Sequence, residues 1–331
     1  MNLDDYSYEL PESLIAQHPA DPRDSCKLMI IGKNKIEHGI FRDILSQFSK
    51  GDILVLNNTK VKHSKLLGKK ESGSAAEITL LKNISANIYE AKIKTKNPLV
   101  GTKIILHHAT AEIIMQKNID TFVVKLDNKN ALKDAVMPSP PYIKHVVTDK
   151  EYQTVYSDKK KEGSLASPTA GLHFTKSLLA KIQKKGVKIV YITLHVSYGT
   201  FKNIEDVKTY VMEPEHYEIS NQAAKIINNR DKKKNRLFVV GTTTLKALET
   251  SASKSGKIIA GSAESTLFIY PPYKFKSGTD ALITNFHLPK STLLLLTCAF
   301  GERKRILDAY HAAIKNNYRF YSLGDSMIIY K

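Results

Sequence analysis

Three histidines stand beside residues that bend the backbone and offer hydroxyl groups. His173 lies in the segment SPTAGLHFT at residues 167–175, His195 follows an apolar run, and His287 lies in ITNFHLPKST at residues 283–292. Imidazole titrates near neutral pH, so each could serve as a general acid or base. Ligand crevices of α/β sheets form outside the carboxyl ends of strands, and the pattern therefore predicts one shared site.

A glycine–threonine turn offers a different kind of chemistry. Gly241 follows the apolar run at residues 236–240, and a helix should begin directly after it, with Thr242 or Thr243 as its expected cap. Free backbone N–H groups at a helix start can bind an anion or a carboxylate. A strand–turn–helix joint of this kind is also a common structural feature. No GxGxxG pattern accompanies it, so an ordinary dinucleotide fold gains no support.

Alternating strand-like and helix-like segments position these loops. The nearly continuous apolar run at residues 52–57 predicts a strand that is buried on both faces. Further strands are predicted at residues 187–194 and 236–240, with helices at 177–185, 221–229 and 309–316. The expected architecture is a layered α/β main domain, discontinuous in sequence, formed by residues 1–61 plus 150–331.

The intervening region, residues 62–149, has a different pattern of apolar and polar residues. Short runs alternate apolar with polar residues at 77–81, 89–93, 103–106, 111–114 and 121–126, and turn-forming residues separate them. This spacing predicts a small antiparallel β-barrel domain inserted into the main domain.

The composition indicates a globular protein with an anionic partner. Apolar residues make up 42% of the chain, and 50 basic against 32 acidic residues give a net charge of +18. An excess of this size favours binding of RNA or DNA. The alternative is that much of the charge is simply a solvated surface.

The two cysteines and the apolar runs indicate in which cellular compartment the protein is expected. Cys26 and Cys298 are far apart, which argues against a disulfide framework and favours a reducing cytosol. No signal peptide is read at the N-terminus, and the apolar stretch around residues 293–296 is too short to cross a bilayer. We therefore expect a cytoplasmic protein without a membrane partner.

A metal site and a serine nucleophile are the competing chemistries. His173, His195, His216 and His287 could surround an ion, but no HExxH spacing or His/Cys zinc pattern is present. A GxSxG elbow is also absent from the sequence. We expect no metal.

Several blocks of sequence together resemble one family. PTAGLHFT at residues 168–175, LITNFHLPKSTLL at 282–294 and DILVLNNTK at 52–60 are similar to the S-adenosylmethionine:tRNA ribosyltransferase-isomerases of the queuosine pathway. Further similar blocks lie at residues 140–143, 152–156, 195–201 and 241–249. Only the region at about residues 62–137 is loosely matched.

The resemblance implies both a fold and a reaction. The fold would be an α/β domain interrupted by a β-barrel. The reaction would transfer the ribosyl part of S-adenosylmethionine to 7-aminomethyl-7-deazaguanine at the tRNA wobble position, giving epoxyqueuosine, adenine and methionine. It implies no metal and no cofactor beyond S-adenosylmethionine, which is a co-substrate, and we expect a monomer. A non-catalytic RNA-binding protein and a metal-dependent hydrolase remain as alternatives.

The resemblance also implies roles for particular residues. His173 is expected nearest the reacting ribose, with His195, Glu215 and His287 as proton-transfer or orienting groups. The residues expected to bind substrate are Arg23, Asp24, Thr169, Gly171, Phe174, Gly199, Thr200, Phe201, Thr242, Thr243, Asn285 and Phe286. For each phenylalanine, core packing is the alternative role. Lys60, Lys65 and Lys290 are expected to meet tRNA phosphates.

The chain departs from the family pattern at several positions. Lys246 stands for a usual arginine, Ser197 for a usual glycine, and Lys65 for the arginine of a Pro-Ala-Arg-Leu segment. Lysine keeps the charge but not the planar two-pronged donor of arginine. None of the departures removes a motif histidine.

Overall fold

The chain folds into two compact units, one formed by Met1–Lys60 with Lys150–Lys331 and the other by Val61–Asp149. The structure, a computed structural model, describes residues 1–201, 204 and 206–331; the side chains of Thr200 and Phe201 lie outside this description. Together the units have the predicted fold class, a layered α/β fold with a closed antiparallel β-barrel.

The strands and helices follow one another along the chain. The strands are β1 (Lys27–Ile31), β2 (Ile36–Ile40), β3 (Ile53–Asn57), β4 (Lys60–Val61), β5 (Lys65–Lys70), β6 (Ala75–Ser85), β7 (Ile88–Lys94), β8 (Lys103–Ile105), β9 (Thr110–Asn118), β10 (Thr121–Leu126), β11 (Glu162–Ser164), β12 (Lys188–Leu194), β13 (Glu215–Ile219), β14 (Leu237–Val240), β15 (Gly261–Ser265), β16 (Ala281–Asn285) and β17 (Ser326–Tyr330). The α-helices are α1 (Asp149–Tyr152), α2 (Lys176–Lys184), α3 (Asn221–Asn228), α4 (Thr242–Ser251), α5 (Thr292–Gly301) and α6 (Arg303–Lys315).

A nine-stranded sheet organises the α/β unit, in the order β15-β13-β12-β3-β14-β16-β17-β1-β2. Strands β12, β3, β14 and β16 run parallel to one another, and β13 and β17 run antiparallel to their neighbours in this group. The carboxyl ends of the four parallel strands therefore share one edge with the starts of β13 and β17. Strand β1 is parallel to β17 and begins there too.

Alternation along the buried strands creates two apolar faces, because successive side chains of a strand point to opposite sides. Leu54 and Phe238 belong to one core cluster, which also contains Leu178 and Ile182 of α2. Helix α4 packs against β3, β12 and β14. Burial of every residue of β3 explains why that strand reads as an unbroken apolar run.

The barrel unit closes in the strand order β10-β7-β6-β5-β8-β9. Its interior is filled by aliphatic side chains and Phe122, with Ile78, Ala91 and Val124 fully buried. Strand β5 had no counterpart among the predicted strands, since its sequence KLLGKK carries three lysines and a glycine. Gly68 makes this strand possible, because a Cβ there would lie 2.5 Å from the carbonyl oxygen of Ile105.

Most predicted elements of the α/β unit match the structure within one or two residues. Helix α6 is the exception, because it begins at Arg303, six residues before the predicted start. Its first turn is basic, and the apolar pattern becomes visible only farther along the helix. Within the described residues, no helix is both long and apolar enough to span a membrane.

Candidate functional site

The carboxyl edge of the large sheet carries the predicted chemical groups. Asn57 ends β3, His195 follows β12, Thr242 and Thr243 follow β14, and Asn285 ends β16. Strand register brings Glu215, the first residue of β13, to the same edge. These positions are distant in sequence, and the topology of the sheet is what brings them together.

His173 reaches this edge from the loop that contains PTAGLHFT. Its Nδ1 lies 3.2 Å from Cys26 Sγ, and its Nε2 lies 3.1 Å from Asn285 Oδ1. Phe41 packs against the ring, with centroids 5.0 Å apart. The side chain is buried, and loss of hydration lowers its pKa to about 4. The imidazole is therefore neutral at neutral pH.

His287 is held in the loop after β16 by three polar contacts. Its Nε2 lies 3.0 Å from Thr284 Oγ1, its backbone N–H donates to Tyr310 Oη at 2.9 Å, and its carbonyl accepts from the Tyr8 hydroxyl. Burial lowers its pKa to about 3. This ring is also neutral at neutral pH, and its surroundings fix the path of the loop.

His195 is the most accessible of the three predicted histidines, with an intermediate exposure. Its Nδ1 lies 2.7 Å from Thr59 Oγ1, and its ring stacks on His216 with centroids 6.1 Å apart. Gly163 packs beside this imidazole, because a Cβ at that position would lie 3.2 Å from the ring. Strand β11 and the loop after β12 therefore meet at this point.

Glu215 forms a buried ion pair with Lys246 of α4. Its Oε2 lies 2.9 Å from Lys246 Nζ, and its Oε1 accepts the backbone N–H of Ser197 at 2.9 Å. The two side chains are only 2% and 6% exposed. Each charge therefore depends on the other, since an unpaired buried charge is costly. The pair also ties the loop after β12 to helix α4.

The turn between β14 and α4 is shaped by Gly241, whose φ is +88°. No side chain caps the first turn of α4, which corrects the expectation that Thr242 or Thr243 would do so. Thr243 Oγ1 instead lies 3.5 Å from Asn57 Nδ2, and Asn57 also donates to the Leu194 carbonyl at 2.9 Å. Asn57 thus connects the loops after three strands.

A small, largely apolar cavity of about 30 Å³ lies beside this ion pair. Its lining includes Glu215, Thr242, Thr243, Lys246, Phe268 and Leu296. The cavity combines an uncapped helix start with an apolar wall. The helix start suits a small anionic group such as a carboxylate.

Close packing governs the loop that carries His173. A Cβ at Gly171 would lie 1.9 Å from Tyr156 Oη and 3.0 Å from Thr154 Cγ2, so only glycine fits. Thr169 is half-buried in the same short turn. The hydroxyls of Tyr156, Thr154 and Ser167 are buried and have no hydrogen-bond partner among the described residues. Unpaired hydroxyls are costly, so their cluster marks this loop as unusual.

The remaining predicted substrate-binding residues are Phe174, Phe286, Gly199, Thr200 and Phe201. Phe174 and Phe286 are fully buried and pack against other aromatic rings, Phe174 against Phe41 and Phe286 against Tyr310. This placement assigns both rings to core packing, the alternative that the sequence left open. Gly199 is buried, and its N–H donates to Glu213 Oε2 at 2.9 Å. The side chains of Thr200 and Phe201 lie outside the described residues.

Arg23 and Asp24 have protein partners in a short turn before β1. Arg23 Nη1 donates to the Gln153 carbonyl at 2.8 Å, and Asp24 Oδ2 accepts from Thr175 Oγ1 at 3.2 Å. Burial lowers the pKa of Arg23. Arg23 therefore holds the chain directly after α1, and Asp24 holds Thr175, two residues after His173.

The three predicted phosphate-binding lysines all pair with carboxylates. Lys60 pairs with Glu162, and Lys290 lies 2.6 Å from Asp4. In the barrel unit, Lys65 lies 3.1 Å from Glu77 and is 13% exposed. Lys60 and Lys290 thus belong to the α/β unit and Lys65 to the barrel unit, each with an acidic partner.

The sequence interpretation missed Cys26, Asn57, Thr59 and Lys246 as parts of the site. Asn57 and Thr59 stand in the DILVLNNTK block, and polar residues directly after a buried strand were the available signal. Cys26 carried no local signal. Among the described residues, groups of potential metal ligands do not include His173, His195, Glu215 or His287.

Comparisons with known proteins agree with this architecture. The family model described as "Queuosine biosynthesis protein" matches residues 3–329. The S-adenosylmethionine:tRNA ribosyltransferase-isomerase of Sulfurihydrogenibium sp. is 47% identical, with 99% of this chain and 100% of the relative covered. The protein of the same name from Thermosipho africanus is 45% identical over the whole of both chains.

A solved structure is also similar. The crystal structure of S-adenosylmethionine tRNA ribosyltransferase from Thermotoga maritima matches with a TM-score of 0.57 and 32% identity, covering 98% of this chain and 99% of that chain. The match over almost the whole sequence, together with the relatives, shows that the chain belongs to the queuosine biosynthesis protein family.

Proposed function

We propose that this protein transfers and isomerises the ribosyl moiety of S-adenosylmethionine onto 7-aminomethyl-7-deazaguanine at the wobble position of tRNA. The products are epoxyqueuosine in tRNA, adenine and methionine. Curated relatives that are 43–47% identical carry the name of this transferase. The observation that carries the proposal is the gathering of His195, Glu215, Thr243 and Asn285 at one sheet edge, with His173 bonded to Asn285.

The reaction needs proton transfers that these groups can support. The sulfonium of S-adenosylmethionine acidifies the adjacent ribose C5′ hydrogens, and a base must remove one of them. Adenine leaves with the help of protonation, the amine of the tRNA base adds, and epoxide closure expels methionine. The lowered pKa of His173 keeps its imidazole neutral, which is the state that accepts a proton. We place His173 nearest the reacting ribose, with His195, Glu215 and His287 in proton transfer or orientation.

Binding of S-adenosylmethionine is assigned to the same edge. The uncapped helix start formed by Thr242 and Thr243 suits the carboxylate of the methionine portion. Arg23, Asp24, Thr169 and Gly171 complete the proposed substrate contacts through the loop that carries His173. Asn285 contributes by holding that histidine.

The net charge of +18 suits an RNA partner, and we assign Lys60, Lys65 and Lys290 to phosphate contacts. Because each lysine is paired with a carboxylate, the tRNA phosphates must compete with Glu162, Glu77 and Asp4 for these lysines. We also propose that the protein is cytoplasmic and monomeric, and that it uses no metal and no cofactor beyond S-adenosylmethionine. Raising salt should then weaken tRNA binding steeply.

Mass spectrometry of nucleosides tests the proposal. The full-length protein is incubated with S-adenosylmethionine and tRNA bearing the precursor base, with and without a chelator. We expect epoxyqueuosine, together with equimolar adenine and methionine, in both arms. Retention of tRNA without any product would instead support an RNA-binding protein, and loss of product only with the chelator would support a metal-dependent enzyme.

A further inference from the structure

A groove of about 310 Å³ lies along strand β12 of the α/β unit, beside helix α3, and is called the β12 groove below. Within the described part of the chain, β13 pairs with β12 only at Thr193 and Leu194, so the earlier residues of β12 have no neighbouring strand on this side. The residues that line the β12 groove include Asn58, Lys161, Tyr191, Thr193, Gln222 and Ile226.

Tyr191 supplies an aromatic ring to the β12 groove. Alternate residues of a strand point to the same side, so Tyr191 shares its side with Thr193, whose hydroxyl donates to Asn58 Oδ1 at 2.7 Å. Tyr156 packs against the Tyr191 ring, with centroids 5.8 Å apart, and Tyr191 is still 42% exposed. The ring is therefore supported by the protein and open to a ligand.

The β12 groove adjoins the edge that carries the candidate site. Asn58, which lines the groove, follows directly after β3 at that edge. Tyr156, which packs on Tyr191, also contacts the loop that carries His173, because a Cβ at Gly171 would lie 1.9 Å from Tyr156 Oη. A strand of RNA that enters the candidate site can thus place a neighbouring base in the groove.

Polar groups accompany the aromatic ring. Lys161 Nζ lies 2.6 Å from Glu218 Oε2 beside the groove, and the Gln222 side chain adds amide hydrogen-bonding capacity. Lys159 and Lys160 precede this lysine and are exposed, which favours a polyanionic backbone. Every nucleobase has a flat π face that stacks on an aromatic ring and an edge that forms hydrogen bonds. The groove therefore suits an unpaired nucleobase.

We propose that Tyr191 stacks on an unpaired tRNA base that neighbours the target nucleotide. This inference rests on the proposed function for the identity of the RNA. Stacking on Tyr191 holds the strand while the target base enters the candidate site at the sheet edge. The residue contributes to tRNA binding and takes no part in proton transfer.

Two variants separate stacking from packing. Tyr191→Phe keeps the ring and removes the hydroxyl, whereas Tyr191→Leu keeps an apolar side chain against Tyr156 and removes the flat ring. We expect Tyr191→Leu to raise the KM for precursor tRNA by about tenfold, with kcat at saturating tRNA nearly unchanged. Tyr191→Phe should stay close to wild type. Equal KM values for the two variants, with both shown to be folded by thermal melting, would overturn the proposal.

Fluorescence reads the stacking directly. The chain contains no tryptophan, so Tyr191→Trp places the single indole of the protein in the β12 groove. Precursor tRNA should quench the emission of this variant, because a base then stacks on the indole ring. Unchanged emission on addition of tRNA would overturn the proposal. Quenching by S-adenosylmethionine alone would assign the groove to the adenine of the co-substrate and would equally overturn it.

The two readouts also separate this inference from the proposed function. If the wild type makes no product, the proposed function fails, and quenching of Tyr191→Trp by tRNA still decides whether a base occupies the groove. If the wild type makes product and tRNA leaves the emission unchanged, only the stacking role fails.

Discussion

One ion pair in the α/β unit and one in the barrel unit differ strongly in burial. In the α/β unit, Lys246 and Glu215 pair while 6% and 2% exposed, at the edge where the strands end. In the barrel unit, Lys117 pairs with Glu90 while 57% and 17% exposed. Burial of a charge is costly and needs a fixed partner, whereas a solvated pair forms at little cost. The contrast marks the sheet edge as the pre-organised region.

Breaking the buried pair should have the largest effect on stability. Lys246→Met removes the buried cation that faces the Glu215 carboxylate, and we expect a loss of about 3–5 kcal/mol in the free energy of unfolding. Urea unfolding measures it. The double variant Lys246→Met with Glu215→Leu should recover part of the loss. If Lys246→Met unfolded at the wild-type urea concentration, the pair would contribute little.

A glycine substitution tests the packing of the loop that carries His173. Gly171→Ala would place a Cβ 1.9 Å from Tyr156 Oη. We expect the free energy of unfolding to fall by about 3 kcal/mol, which is at the upper end of the range for overpacked cores. Gly39→Ala is the matched control, because its nearest contact would be an ordinary 3.6 Å from Asp43 Oδ2. Equal melting temperatures for the two variants would contradict the close packing.

Acid should destabilise the α/β unit through its buried histidines. Burial lowers the pKa of His173 to about 4, below the ordinary 6.5, so the unfolded chain binds a proton first as the pH falls. The contribution of His173 to the free energy of unfolding is fully present above pH 6.5 and is lost as the pH falls from 6.5 to 4. Between pH 7 and pH 5 we expect the titration of His173 to lower the free energy of unfolding by about 2 kcal/mol.

The variant His173→Gln isolates this contribution in urea unfolding at the two pH values. It should lose less stability than the wild type between pH 7 and 5. An identical pH dependence in the two proteins would show that His173 is not held neutral.

The barrel pair should give the smallest effect. Lys117→Met removes one partner of an exposed pair, and we expect a change below about 1 kcal/mol that fades further at high salt. Urea unfolding at low and high salt provides the comparison with Lys246→Met. A loss as large as that of Lys246→Met would erase the contrast between the two units.

The sequence predicted the fold because its strongest patterns are local. The unbroken apolar run of β3 and the alternating strands of the barrel each follow from burial. Strand β5 was missed because three lysines and Gly68 obscure its alternation. The start of α6 was missed because its first turn is basic, so the helical apolar pattern begins later.

Predicting the site from the sequence was harder, because its contacts join distant residues. The three histidines were marked by their loops, but the contact between His173 and Cys26 spans 147 positions. No local pattern reports such a distance. Similarly, Phe174 and Phe286 lie beside loops in sequence, and only the tertiary fold shows that their rings face the core.

Adenine release by His173→Ala tests the central claim most directly, that the sheet edge performs the chemistry. The variant and the wild type are incubated with S-adenosylmethionine and precursor tRNA, and tRNA retention on a filter is measured in parallel. We predict that adenine release is abolished while retention stays close to wild type. Release within a few-fold of wild type would remove His173 from the mechanism.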